Sequence, residues 1–193
     1  MRLALAFIAF FVALGSSATG AIDFTPTPSE RVLEGIKFPQ LIFREEGREI
    51  VYGYPRGWTY SGSSSRIKFT PPGLTQAQAE IEQSPLPEPQ SFDEPTTKAL
   101  QQRVLASVPK GSENITVVSE QKNPVMVNGH ETYEVTVGYK FYGQEFQLSV
   151  LYLNLPGNQL RFRVAAKKTD YEKVHGAFRR SILSFRGLKR PGA

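Results

Sequence analysis

The chain has 193 residues, of which 40% are hydrophobic and 21% are charged, and its 23 basic residues outnumber its 18 acidic residues. This composition is typical of one globular domain and excludes a disordered or fibrous protein. The absence of cysteine from the sequence excludes disulfides, thiolate metal sites, thiol catalysis and lipid attachment to a cysteine. With only two histidines, His130 and His175, a histidine-based metal centre or catalytic triad has few candidate residues.

The N-terminal segment has the pattern of an export signal. Arg2 precedes an apolar run over residues 3–14, and residues 15–21 are mostly small. A run of about twelve apolar residues fits the hydrophobic region of a signal peptide and is too short to span a bilayer. We therefore expect residues 1–21 to be a signal peptide that is cleaved between Ala18 and Ala21. The mature protein is expected to be exported, either periplasmic or secreted, with no transmembrane anchor.

The first part of the expected mature chain is rich in turn residues. Residues 22–31 contain two prolines among small polar residues, which indicates a mobile arm. The motif Tyr54-Pro55-Arg56-Gly57-Trp58 predicts a turn that brings the only tryptophan into the following strand. Short strands, the first two forming a hairpin, are predicted at residues 40–44, 48–53, 59–62, 65–70 and 77–83.

A proline-rich loop and a helix separate this region from the second half. Residues 84–92 contain three prolines and predict an extended loop. Asp93 is the expected N-cap of a helix that buries Leu100, Val104 and Val108. The helix is expected to stop at Pro109-Lys110-Gly111.

The second half predicts an antiparallel meander followed by an amphipathic helix. Alternating apolar residues in three of its strands, such as Tyr133, Tyr152 and Phe162, predict one continuous apolar face. Asn128-Gly129 predicts a tight hairpin turn, because both central residues of such a turn need positive φ. The helix is expected to begin at Asp170 as its N-cap. The predicted strands are residues 114–120, 124–127, 131–141, 144–154 and 159–167.

Two motifs within residues 48–187 resemble the PsbP/Mog1/DcrB-like domains. They are the Tyr54-Pro55-Arg56-Gly57-Trp58 turn and the ending Ala177-Phe-Arg-Arg-Ser-Ile-Leu-Ser-Phe185. The resemblance implies an α+β fold with a central antiparallel β-sheet flanked by helices, an α/β/α sandwich. It also implies an accessory or binding role, such as that of extrinsic photosystem subunits and bacterial envelope proteins, without catalytic residues to carry over. The expected organisation is a signal peptide (1–21), an N-terminal arm and first strand (22–47), the domain (48–187) and a basic tail (188–193).

The C-terminal region is the most basic part of the chain. Residues 167–190 contain eight lysines and arginines against Asp170 and Glu172. Such a cluster is either a solvated helix face or a surface that attracts an anionic lipid, polysaccharide or protein. The candidate anion-binding or partner-binding residues are Lys167, Lys168, Lys173, Arg179, Arg180 and Arg186.

A second candidate site is aromatic. Tyr52, Tyr54, Trp58 and Tyr60 recur at alternate or near-alternate positions, so they either pack in the core or form one wall of a ligand groove. His130 is expected to be exposed after its turn and His175 to lie on a solvated helix face.

No phosphate-binding loop, nucleophile elbow or metal-binding helix motif occurs in the sequence. We therefore predict a non-enzymatic binding or assembly-accessory protein of the cell envelope, with no catalytic residue, cofactor or metal. Its partner is expected to be an envelope protein or an anionic surface, and not a nucleic acid, because of the export signal. The alternative is a hydrolase-like envelope enzyme that uses an unrecognised acid pair or an aromatic-lined groove. The adjacent acids Glu45-Glu46 and Asp93-Glu94 are expected to lie in a turn and at a helix start, which explains them without catalysis.

Overall fold

The computed structural model describes residues 21–88 and 90–188. The predicted signal peptide therefore lies outside the described residues except for Ala21, as does the predicted basic tail after Leu188. The described residues form the strands β1 (Asp23–Leu33), β2 (Ile36–Glu45), β3 (Arg48–Tyr52), β4 (Thr59–Ser63), β5 (Arg66–Thr70), β6 (Gln78–Leu86), β7 (Glu113–Lys122), β8 (Thr132–Phe141), β9 (Gln144–Leu155) and β10 (Gly157–Lys167). They also form the helices α1 (Glu94–Ala106) and α2 (Lys168–Ile182).

Seven strands form one antiparallel sheet in the order β4-β5-β6-β10-β9-β8-β7. Leu100 and Val104 of α1 pack with Val135 and Val150 in one core cluster. Phe178 of α2 belongs to a second cluster on the opposite face of the sheet, which contains Leu151 and Phe162. The predicted α+β class and the α/β/α sandwich are therefore confirmed.

Three further strands form a small sheet in the order β1-β2-β3 that shares the core on the α2 side. The expectation that residues 22–31 are a mobile arm is wrong, because most of them belong to β1. Pro26 and Pro28 do not prevent this, since β1 is an edge strand that pairs with β2 and Pro26 falls where the register is interrupted between Asp23 and Thr27. Ile22 and Phe24 are fully buried, so this segment adds apolar area to the core.

The predicted continuous apolar face is wrong for β10. Tyr133 pairs with Tyr152, as the alternation required, but Tyr152 pairs with Arg161 and not with an apolar residue. Two residues, Pro156 and Gly157, reverse the chain between β9 and β10, because Leu155 pairs with Asn158. A turn of three residues, which the sequence suggested, would have kept Phe162 on that face, and shortening the turn by one residue reverses the strand's two faces.

Several boundaries also differ from expectation. Residues 124–127 form no strand, and only a single bridge joins Val127 to His130. His130 is buried and not exposed. The strand β6 extends to Leu86, into the predicted proline loop. The helix α2 begins before Asp170, which lies in its first turn, and Lys167 occupies the cap position without a side-chain hydrogen bond. The predicted Asp93 cap of α1 is confirmed, since the Thr96 N–H donates to Asp93 Oδ1 at 3.0 Å.

Candidate functional site

The segment after α2 is attached to the small sheet, and this attachment creates a groove. Val51 and Arg186 exchange two backbone hydrogen bonds of 3.0 Å, so the segment pairs with the edge of β3. Gly187 permits the approach, because a Cβ at this position would lie 2.3 Å from the Glu49 carbonyl oxygen. Its φ of +88° also belongs to the left-handed region that favours glycine.

We call the resulting depression the arginine groove; its volume is about 600 Å³. Its wall comes from three separate parts of the chain: the β1–β2 hairpin, the loop after β3, and α2 with the segment that follows it. The lining residues used in the arguments below are Arg31, Leu33, Phe38, Tyr54, Pro55, Arg56, Arg180, Ser184 and Arg186.

Four arginines, Arg31, Arg56, Arg180 and Arg186, surround the groove and are all exposed. None of them forms an ion pair with an acidic side chain within residues 21–88 and 90–188. Among the described residues that line the groove there is also no aspartate or glutamate. The groove therefore carries four arginines that form no ion pair with an acidic side chain of the described residues.

Hydroxyl groups fix the floor of the groove. Ser184 Oγ accepts a hydrogen bond of 2.7 Å from the Gly53 N–H, which ties the segment after α2 to the loop after β3. Tyr52 Oη and Ser181 Oγ are 2.6 Å apart, and burial raises the pKa of Tyr52 well above its ordinary value. Burial, with smaller contributions from Tyr60 and Glu30, also raises the pKa of Tyr54. Both tyrosines therefore stay neutral at physiological pH and do not oppose the arginine charges.

The structure does not gather the six predicted basic residues into one surface. Arg180 and Arg186 line the arginine groove. Lys167 and Lys168 lie at the junction of β10 and α2, where Lys168 Nζ forms an exposed ion pair of 3.0 Å with Glu145. Lys173 is exposed on α2 away from the groove. Arg179 points toward the sheet.

Arg179 and His175 both contact Glu134, which is buried on β8. His175 Nε2 lies 2.7 Å from Glu134 Oε1, and Arg179 Nη1 lies 3.5 Å from Glu134 Oε2. Arg179 also donates a hydrogen bond of 2.7 Å to the Pro124 carbonyl oxygen. The expectation that His175 lies on a solvated face is therefore wrong, because the ring is mostly covered and stacks on Tyr171. This cluster fixes α2 on the sheet.

The four predicted aromatic residues do not form a common wall. Tyr52 is fully buried in the core. Trp58 is also buried, and its ring lies parallel to that of Phe178 with 6.3 Å between centroids. Tyr54 lines the arginine groove, and the centroid of its ring lies 5.2 Å from that of Tyr60. The aromatic-groove hypothesis therefore keeps Tyr54 as its one residue in the candidate site.

The adjacent acidic residues have structural partners. Glu45 forms an ion pair with Arg48, and Asp93 caps α1. Glu94 pairs with Lys98 one turn along the same helix. Within the described residues, no group of three or more histidine, aspartate or glutamate side chains could hold a metal ion. No helix in that part of the chain is long and apolar enough to cross a membrane.

Sequence reasoning missed Arg31, Leu33, Phe38 and Arg56, which complete the groove. The sequence did contain a signal for this hairpin, because the apolar residues Val32, Leu33 and Ile36 flank the turn-forming dipeptide Glu34-Gly35. Assigning residues 22–31 to a mobile arm hid this hairpin, whose strands present both Arg31 and Phe38 to the groove.

Comparison with solved structures identifies related folds. Cyanobacterial PsbP (CyanoP) from Synechocystis sp. PCC 6803 is similar with a TM-score of 0.53 and 16% identity, over 72% of this chain and 86% of that chain. LpqN, which is involved in cell envelope biogenesis of Mycobacterium tuberculosis, is similar with a TM-score of 0.48 and 14% identity, over 82% of this chain and 88% of that chain. PA94 from Pseudomonas aeruginosa, a protein of unknown function, is similar with a TM-score of 0.47 and 14% identity, over 85% of this chain and 98% of that chain. No protein-family model and no curated protein matches the sequence. The similarity to CyanoP confirms the predicted PsbP-like fold.

Proposed function

We propose that the chain is an exported, non-enzymatic binding protein of the cell envelope and that its arginine groove engages an anionic partner. The observation that supports this proposal is the set of four exposed arginines around one groove, Arg31, Arg56, Arg180 and Arg186, which have no acidic partner among the described residues. The PsbP-like fold is compatible with an accessory role. The signal-like pattern of residues 1–21 supports export.

Arginine is the side chain best suited to this role. Its guanidinium stays charged at all physiological pH values and presents a planar set of donors that matches carboxylate or phosphate oxygens. Four such groups around one groove attract anions and repel cations. An acidic pocket residue, which hydrolytic chemistry with paired carboxylates requires, is not among the described residues that line the groove.

The test compares two double variants of equal net charge on a heparin column. Arg180→Gln/Arg186→Gln removes two charges from the groove, whereas Lys168→Gln/Lys173→Gln removes two charges from α2 outside it. Because salt screens exposed charges over about 10 Å at 0.1 M, a localised cluster should determine the salt concentration at elution. We expect the groove variant to elute at clearly lower salt than the control variant.

Equal elution of the two variants would show that binding depends on overall charge and would contradict a specific role for the groove. Circular dichroism melting of both variants should match the wild type, since all four residues are exposed. A wild-type protein that fails to bind heparin at 50 mM salt would also argue against the proposal.

A further inference from the structure

The β1–β2 hairpin exposes apolar side chains beside the arginine groove. Val32, Leu33, Ile36 and Phe38 are 61%, 49%, 52% and 44% exposed. The turn between the strands consists of Glu34 and Gly35, with φ of +50° and +78°. These values suit the two-residue turns that match the twist of a hairpin, so the tip is a formed part of the sheet.

The strand register places Leu33, Ile36 and Phe38 on one face of the hairpin, whereas Val32 pairs with Lys37 on the other face. Leu33 pairs with Ile36, and Arg31 pairs with Phe38. Directly opposite residues of an antiparallel pair project from the same face, and so do residues two apart in one strand. Arg31, Leu33, Ile36 and Phe38 therefore share one face, and three of them line the groove. The apolar strip of the hairpin is continuous with the arginine groove.

The composition of this combined surface resembles that of a protein interface. The lining contains four arginines, Tyr54, Phe38 and two prolines, but no lysine and no acidic residue among those that the structure describes. Interface centres are enriched in arginine and aromatic residues and depleted of lysine, aspartate and glutamate. Arginine side chains can hold carboxylates in a two-point geometry, which gives orientation as well as attraction.

A membrane fits this surface less well than a protein does. Glu34 lies at the apex of the hairpin, where it would be the first side chain to meet an anionic bilayer. Lys37, the nearest lysine, is already paired with Glu30 at 2.9 Å. A negative charge at the tip opposes insertion, whereas a protein segment can lie along the side of the hairpin without contacting Glu34.

We infer that the partner is a protein and that it binds through a segment in which acidic and apolar side chains occur together. The carboxylates meet Arg31, Arg180 and Arg186, and the apolar side chains lie on Leu33 and Phe38. This inference rests on the proposed function, because it identifies the anionic partner of the same groove.

The test selects ligands from a phage-displayed library of random twelve-residue peptides on the full mature protein. Peptides recovered from the wild type are then synthesised, and their affinities are measured by fluorescence polarisation. Selected peptides should combine at least two acidic residues with at least two large apolar residues. Arg180→Gln/Arg186→Gln should weaken their binding at least tenfold, and Phe38→Ser should weaken it several-fold. Lys168→Gln/Lys173→Gln, which leaves the groove intact, should change it less than twofold.

Other outcomes would overturn the inference. Recovery of no peptide above background, or of peptides whose binding is unaffected by Phe38→Ser, would contradict an acidic and apolar segment as the ligand. Vesicles with 30% phosphatidylglycerol that bind through the groove arginines and displace the peptides would identify a membrane surface as the partner. In each of these cases, a lowered heparin elution of the groove variant would leave the proposed function standing, whereas equal elution of the two double variants would remove both.

Discussion

Trp58 is a large aromatic residue of the core on the α2 side. Its indole is 9% exposed and lies parallel to the ring of Phe178, with an interplanar angle of 6°. Replacing a buried aromatic residue by alanine removes its packing and leaves a cavity, at a cost of about 3–5 kcal/mol. We expect Trp58→Ala to lower the free energy of unfolding by this amount in urea titrations. Met126→Ala, at an exposed position, should change it by less than about 0.5 kcal/mol. A loss below about 1 kcal/mol for Trp58→Ala would contradict its placement in the core.

At the candidate site, the sequence identified the residues that belong to a local cluster of similar side chains. Arg180, Arg186 and Tyr54 were candidates because of a local charge cluster and a local aromatic pattern. Arg31 and Arg56 could not be found in this way, since each is a single arginine in a different segment. Arg31 reaches the groove through the pairing of β1 with β2 and of β2 with β3, and Arg186 reaches it through the pairing of the segment after α2 with β3, which needs two backbone hydrogen bonds and a glycine at position 187.

The attachment of α2 depends on a buried charge cluster as well as on its apolar stripe. Glu134 Oε2 accepts no hydrogen bond from the described residues, and its closest cation is Arg179 at 3.5 Å. Removing one partner of a buried charge leaves the other without compensation, which costs about 1–3 kcal/mol or more. We expect Arg179→Gln to lower the free energy of unfolding by about 2 kcal/mol, measured by urea denaturation, because His175 still contacts Oε1.

Lys173→Gln is the matched control for this prediction. It removes one positive charge from the same helix at an exposed position. Its effect should stay within about 0.5 kcal/mol, as is usual for surface substitutions. Equal effects of the two substitutions would show that Glu134 is compensated by His175 alone. Because Arg179→Gln is expected to destabilise the fold, a change at Arg179 cannot be used to test the charge of the surface.

Local patterns predicted the existence and type of most elements, and they failed where the same residues are compatible with two different structures. Asp93 caps α1 as its side chain suggested, and Leu100 and Val104 are buried as their spacing suggested. The face of β10 depended on whether Asn158 belongs to the turn or to the strand, a difference of one residue that turn composition does not determine. The first strand of the small sheet was missed because Pro26 and Pro28 are compatible with both an arm and an edge strand, whereas the hairpin of its other two strands was predicted.

At the scale of the whole molecule, the two faces of the large sheet have different partners. The α1 side carries a compact cluster formed with β8 and β9. The α2 side carries the larger core, to which the small sheet contributes Phe43 and Tyr52. The arginine groove lies where the small sheet, α2 and the segment after α2 meet, so its residues stand on packed elements. A surface of this kind can bind a partner without a large rearrangement of the backbone.

The proposed export concerns the whole chain, and the burial of Ile22 limits where a signal peptide could be cleaved without loss of a core residue. Ile22 is fully buried, and its N–H donates a hydrogen bond of 2.9 Å to Gln83 Oε1. Cleavage after Ile22 would therefore remove a core residue, whereas cleavage between Ala18 and Ala21 leaves the core intact. We expect intact-mass measurement of the exported protein to give a chain that begins between Thr19 and Ile22. Ile8→Asp/Phe11→Asp, which interrupts the apolar run, should block processing and keep the full-length mass, because a signal peptide needs a continuous apolar region. A wild-type protein that still begins at Met1 after expression in a Gram-negative host, or that is found only in the cytoplasm, would contradict export and with it the envelope role.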